Sequence, residues 1–292
     1  MRQRNEHTIA HDCQVQGLGY WSGIPVCVRM LPASLGTGIR MVRTDLEGAP
    51  ILEANVLTRQ NQELRTTLSE GTACFQMVEH LMAALYALEI DNCIIEIDAE
   101  ELPGLDGSAA AYVDALRSAG LVIQAAARPQ LVVDRTVRVG NAASWIEVSP
   151  SPDNNAHYEY QLDYGPECPI RPQTYRTTLR VDSFCREVAP ARTFVTADQA
   201  EQLREAGVAK HVTNKDLLVF DDDGPVDNLL RFKDECARHK LLDMVGDLAL
   251  VGCDVIGTFV SHRGGHSLNA KLASKLLKLA ETSLEIGNSR AA

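Results

Sequence analysis

The sequence predicts an α+β protein of two similar domains, each a mainly antiparallel sheet with helices, the helix layers packing together at the domain interface. Three observations lead there. A length of 292 residues suits two domains of ordinary size. Each half opens on strand-like alternation and ends on the order helix, strand, helix. Between them, Gln124-Ala125-Ala126-Ala127-Arg128-Pro129 closes a helical pattern and opens a new strand, which sets the domains at residues 1–126 and 127–292.

In the first half, Val26-Cys27-Val28-Arg29-Met30-Leu31 and Ile39-Arg40-Met41-Val42 alternate with the period of two expected of strands. A helix follows over 77–88, then a strand, Cys93-Ile94-Ile95-Glu96-Ile97. The next helix is opened by Asp106-Gly107-Ser108, which offers N-cap side chains, and closed by Gly120. The second half repeats this order: strands near 131–139, 145–148, 158–164 and 174–178, a long helix over 234–251, a strand over 255–260 and a final helix from His266. An extra segment, 196–227, interrupts this second repeat. Its acidic run, Asp221-Asp222-Asp223-Gly224-Pro225, reads as a solvated turn.

Composition removes several classes of function. A formal net charge of -11 argues against nucleic acid, whose binding rests on basic surface. The eight cysteines are scattered without a Cys-x-x-Cys pair, so neither a thiolate zinc ribbon nor a disulfide scaffold is expected, and reduced thiols in a cytoplasmic protein are. No stretch approaches the roughly 18 apolar residues of a membrane span, and the N-terminus leads into no signal-peptide core. A monomer is expected.

The chemistry concentrates in three fragments. In Glu235-Cys236-Ala237-Arg238-His239-Lys240-Leu241-Leu242-Asp243-Met244-Val245-Gly246-Asp247, a turn of about 100° per residue puts His239, Asp243 and Asp247 in one narrow sector, roughly opposite Leu241, Leu242, Val245 and Leu248. Alone, a His-x-x-x-Asp pair reads as a surface charge pair. Met77-Val78-Glu79-His80-Leu81 and Gly264-Gly265-His266-Ser267-Leu268 supply what a hydrolytic metal site lacks. A catalytic zinc site needs about three protein ligands and an open position. His80, His239 and Asp243 form such a set, Glu79 is a candidate base beside it, and His266 the remaining acid or electrophile.

Further blocks widen the pattern: Ala191-Arg192-Thr193-Phe194, Arg231-Phe232-Lys233-Asp234-Glu235, Gly17-Leu18-Gly19-Tyr20-Trp21-Ser22-Gly23, Arg43-Thr44-Asp45-Leu46 and Asp106-Gly107-Ser108-Ala109. With Val78-Glu79-His80-Leu81 and Gly265-His266-Ser267-Leu268-Asn269 they resemble, over nearly the whole chain, the signature blocks of the UDP-3-O-acyl-N-acetylglucosamine deacetylases of lipid A synthesis. The resemblance implies a two-domain α+β fold, bound Zn2+ and an acylated nucleotide-sugar substrate. It also implies that Thr193 and His266 serve a tetrahedral oxyanion, that Asp247 orients His266, and that Lys240 and Phe194 contact substrate.

Two departures bear on the substrate. Trp21 stands where the resembled family commonly has His, and Gly207-Val208-Ala209-Lys210-His211-Val212-Thr213-Asn214-Lys215-Asp216 stands where it usually has a Gly-Gly-Ser run beside an acyl passage. Lys210 and Lys215 suit an acyl tail only if they turn outward. A zinc deacetylase of another N-acetylated sugar or nucleotide sugar therefore stays open. A non-catalytic, metal-stabilised interaction protein is a third reading, disfavoured because such a protein needs neither Glu79 nor His266. His157 and His211 read as surface or loop histidines.

Overall fold

The computed structural model describes residues 3–62 and 64–291, with side chains described to 282. Two five-stranded sheets dominate it. The first runs, edge to edge, Cys13–Leu18, Pro25–Pro32, Cys93–Ile97, Ile39–Arg43 and Ile51–Glu53. The second runs Val137–Gly140, Trp145–Ser149, Thr258–His262, His157–Leu162 and Gln173–Thr178. In chain order both sheets read first, second, fifth, third, fourth. In both, the fifth and third strands are parallel and every other pair is antiparallel. The duplication expected from element order is thus a duplication of sheet topology.

Alternation builds each sheet's inner face. Val26, Val28 and Met30 are buried on one strand of the first sheet and Cys93, Ile95 and Ile97 on its neighbour. In the second sheet Tyr158 stacks on Phe259, ring centroids 4.6 Å apart. The helix before the fifth strand is Glu79–Ala87 in the first half and Glu235–Ala249 in the second. These two helices pack directly on one another. Their sequences show why both are submerged: almost every side chain, polar ones included, is buried, as befits a helix enclosed on all faces.

Several local expectations change. Residues 131–139 form two strands, Gln130–Val132 and Val137–Gly140, the first pairing in parallel with Asp254–Ile256. The expected strand over 255–260 is likewise split into Asp254–Ile256 and Thr258–His262. Gly257 separates them, where a Cβ would come within 2.7 Å of Val148. The helix expected to start at Asp106-Gly107-Ser108 starts at Ala110, because Asp106 accepts hydrogen bonds from Ser108 instead of capping the helix. Leu121–Ala127, not anticipated, is a strand paired with Asn5–Ile9.

The extra segment of the second half contains the helix Ala197–Glu205 and the strand Leu218–Asp221, with Asp221, Asp222 and Asp223 exposed at its turn. The first half has its own insertion at the same topological place, a three-stranded sheet of Arg59–Gln60, Thr67–Glu70 and Ala73–Gln76. Both insertions fall between the fourth strand and the buried helix. No helix among the described residues is long and apolar enough to cross a membrane.

Candidate metal and catalytic centre

Each half delivers its chemistry from matching positions. The strand Ala73–Gln76 turns at Met77, whose φ of 65° is unusual for a residue with a side chain, and enters the helix at Glu79 and His80. In the second half, His239 and Asp243 lie one turn apart on Glu235–Ala249, both buried. Helix contact brings the ligand atoms of His80, His239 and Asp243 within 4.8 Å of one another. His80 Nε2 is 3.6 Å and His239 Nε2 3.4 Å from Asp243 Oδ1.

That oxygen is the informative atom, being buried without a hydrogen-bond partner. Meanwhile Asp243 Oδ2 accepts from Lys240 Nζ at 2.7 Å. His239 Nδ1 lies 3.1 Å from the Ala191 carbonyl, so the proton sits there and Nε2 presents a lone pair to the cluster. Two imidazole nitrogens and a carboxylate oxygen converging on one point are the donor set of a three-ligand metal site, and a buried oxygen with no protein donor is what such a site reserves for a cation. Burial pushes His239 down to about 3, which keeps its imidazole neutral. Burial alone would raise the Asp243 carboxyl, but His239 and Lys240 outweigh it and hold Asp243 well below the usual carboxylate range.

Glu79 is buried beside His80, and Oε2 accepts the Thr66 backbone N–H at 3.0 Å. Burial raises its carboxyl, with His266 and His80 pulling the other way. His266 begins the helix His266–Ala291 after Arg263, at φ 51°, and the Gly264-Gly265 turn, which Tyr160 braces by donating to the Gly264 carbonyl. His266 Nδ1 is 2.9 Å from Asp247 Oδ2, which also accepts from Asn269 at 2.8 Å. Burial works against the imidazolium, but the Asp247 carboxylate prevails and lifts His266 to about 9.

These groups open on a cavity of about 1220 Å³ lined by Glu79, His80, Thr193, Phe194, Lys240 and His266 among others. Asp247 stands behind His266. Phe194 meets the His239 ring edge-on, centroids 6.1 Å apart, so it belongs to the cavity wall. Trp21 lines the same space with Arg65 over its ring at 4.7 Å. Leu203, Ala209, Val212 and Leu217 add an apolar wall from the second insertion, whereas Lys210 and Lys215 are exposed. The two lysines turn outward, and the awkward segment offers the cavity its apolar members only. His211 is exposed and His157 lies in a strand, paired with Asp153 at 2.7 Å, both away from the cluster.

Sequence reasoning missed Thr66 and Asn269, which hydrogen-bond to the buried carboxylates of Glu79 and Asp247 and are not among the residues lining the cavity. Asn269 had a signal, lying one helical turn after His266. Thr66, in a loop remote from every quoted block, had none.

Comparison with known proteins agrees with this geometry. The profile of LpxC, UDP-3-O-acyl N-acetylglycosamine deacetylase, matches residues 6–278. Proteins named UDP-3-O-acyl-N-acetylglucosamine deacetylase from Brucella ovis, Brucella canis and Brucella suis are each 40% identical over 284 residues, covering 96% of this chain and 98% of the relative. A family match over residues 6–278, a span that takes in both halves, both insertions and the buried cluster, leaves one assignment: the chain belongs to the UDP-3-O-acyl N-acetylglycosamine deacetylase family.

Proposed function

We propose that this chain hydrolyses the N-acetyl group of UDP-3-O-acyl-N-acetylglucosamine, releasing acetate, the step its family contributes to lipid A synthesis. The observation that carries this reading is the unpartnered Asp243 Oδ1 between two imidazole nitrogens, facing a cavity that also holds Glu79 and His266. His80, His239 and Asp243 would hold Zn2+, for which two histidines and one carboxylate are a suitable set. When bound, zinc supplies Lewis acidity, polarising the acetamide carbonyl and easing loss of a proton from water.

The side chains perform the remaining work. Glu79, its affinity for a proton raised by burial, takes the proton of the attacking water. His266, kept as imidazolium by Asp247, donates toward the developing oxyanion, and Thr193 supplies a second donor from the cavity wall. Lys240 is tied to Asp243 and lies at the cavity surface, where it can meet a substrate oxygen. Phe194 offers a face to the sugar, and the apolar wall of Leu203, Ala209, Val212 and Leu217 suits an acyl chain. That wall favours the acylated nucleotide sugar over an unacylated one.

We place the two domains at 1–126 and 127–292, so that the ligand set His80, His239 and Asp243 spans the division. One chain carries all the groups named, so we take the monomer as the working unit. Eight free cysteines suit the reducing cytoplasm. The test is acetate release from UDP-N-acetylglucosamine with and without the 3-O-acyl group, with bound metal measured in parallel. Zinc-dependent release from the acylated compound alone supports the reading. Equal release from both favours a broader nucleotide-sugar deacetylase, and stoichiometric zinc without release favours a structural metal.

A further inference from the structure

Thr66 lies fully buried just ahead of strand Thr67–Glu70, in the insertion of the first half, and its hydrogen bonds go to none of the three proposed ligands. Every polar atom it owns is engaged. Its backbone N–H donates to Glu79 Oε2 at 3.0 Å, and its carbonyl accepts the Val78 N–H at 3.3 Å, at the entrance to the helix carrying Glu79. Its hydroxyl donates to Asp247 Oδ1 at 2.5 Å and stands 3.3 Å from His266 Nδ1.

From this we infer that Thr66 is a positioning residue that fixes the base Glu79 and the Asp247–His266 pair in one frame across the two halves. The inference rests on the deacetylase reading above. Asp247 is 1% exposed, and its two oxygens divide their donors unevenly. His266 and Asn269 both serve Oδ2, leaving the Thr66 hydroxyl as the donor to Oδ1 among the described residues. Without that hydroxyl, Oδ1 would be a buried acceptor with nothing to accept. The carboxylate could then rotate about its own axis and carry the His266 ring with it. Small errors of aim in such a group cost rate while leaving binding nearly intact. Thr66 also ties the first half's insertion to the second half's helix Glu235–Ala249, so its N–H and hydroxyl link base and acid directly.

The variants Thr66→Val and Thr66→Ser separate this role from simple packing. Valine keeps the shape and the backbone N–H to Glu79 and removes only the hydroxyl. Turnover should fall by about 10- to 100-fold, the usual cost of losing such a supporting hydrogen bond. KM and bound metal should change little, and serine should recover most of the lost turnover. Introduced into an Asp247→Ala background, Thr66→Val should cost nothing further, since the hydroxyl no longer has its partner. Wild-type turnover in Thr66→Val, a serine variant as poor as valine, or full additivity with Asp247→Ala would each overturn the inference. Absence of acetate release from the wild-type protein, measured in the same assay, would overturn the deacetylase reading and this inference with it.

Discussion

Gly246 lies against the backbone carbonyl of Glu79, so closely that a Cβ at 246 would run into it. The two buried helices therefore touch where one of them has no side chain, one residue from His80 on the first and between Asp243 and Asp247 on the second. A glycine inside a helix costs about 1 kcal/mol relative to alanine. Close approach offsets that cost, and the same approach brings His80 of the first half and His239 and Asp243 of the second within 4.8 Å of one another.

Gly246→Ala should accordingly destabilise the fold by about 1–3 kcal/mol, the usual range for forcing a methyl into a packed interior. Urea unfolding reads the loss. Metal affinity should weaken with it, because separating the helices draws His80 away from Asp243. A stable variant with native metal affinity would show that the contact does not set the site.

His80→Ala, His239→Ala and Asp243→Ala should each lower zinc occupancy, since a site with two protein ligands holds the ion poorly. Their stabilities should differ. Asp243→Ala leaves the Lys240 ammonium without its carboxylate, and breaking such a buried pair costs about 3–5 kcal/mol, so this variant should be the least stable without metal. Metal analysis after dialysis and urea unfolding check both points; three variants with full zinc would refute the ligand set.

Much of this was legible in the sequence because it depends on local periodicity. His239, Asp243 and Asp247 share a helix face by spacing alone, and the repeated helix, strand, helix order announced the duplicated sheets. What stayed hidden depends on long-range approach. Nothing local sends Thr66 to Asp247 across 181 residues, or splits a strand at Gly257 because Val148 occupies the space a Cβ would need. The first insertion escaped because its strands, of two and four residues, are too short to establish a period. Lys210 and Lys215 looked unfavourable because sequence gives a residue's type and not its direction.

The His266–Asp247 pair gives a pH signature. His266 is raised from an ordinary 6.5 to about 9 by Asp247, so it binds its proton more tightly folded than unfolded. Its contribution to stability is complete below about 6.5 and is lost as pH rises to about 9. Metal-free wild type should thus lose stability across that window relative to His266→Ala, as followed by urea unfolding. If His266 is the acid proposed above, the same proton should set the alkaline limb of the rate profile. His266→Ala should lack that limb, and its persistence would assign the limb to another group.

Cys93, Cys236 and Cys253 are buried and the other five cysteines half-buried, all of them free. Burial pushes the Cys93 thiol up to about 12, far from the reactive thiolate. Reducing agent should therefore leave activity unchanged, and a thiol reagent should find these three protected until the protein unfolds. Loss of activity on mild reduction at constant metal content would contradict this.

The central claim is that metal binding and water activation are separate duties of neighbouring residues, His80 holding the ion and Glu79 taking the proton. Glu79→Gln tests it most directly, since glutamine keeps the shape and the Thr66 hydrogen bond while abolishing the base. Bound zinc and turnover should be measured on the same preparation. The account predicts native zinc content, a KM close to wild type and a turnover number lower by roughly 10² to 10⁴. Near-normal turnover with zinc in place would contradict it.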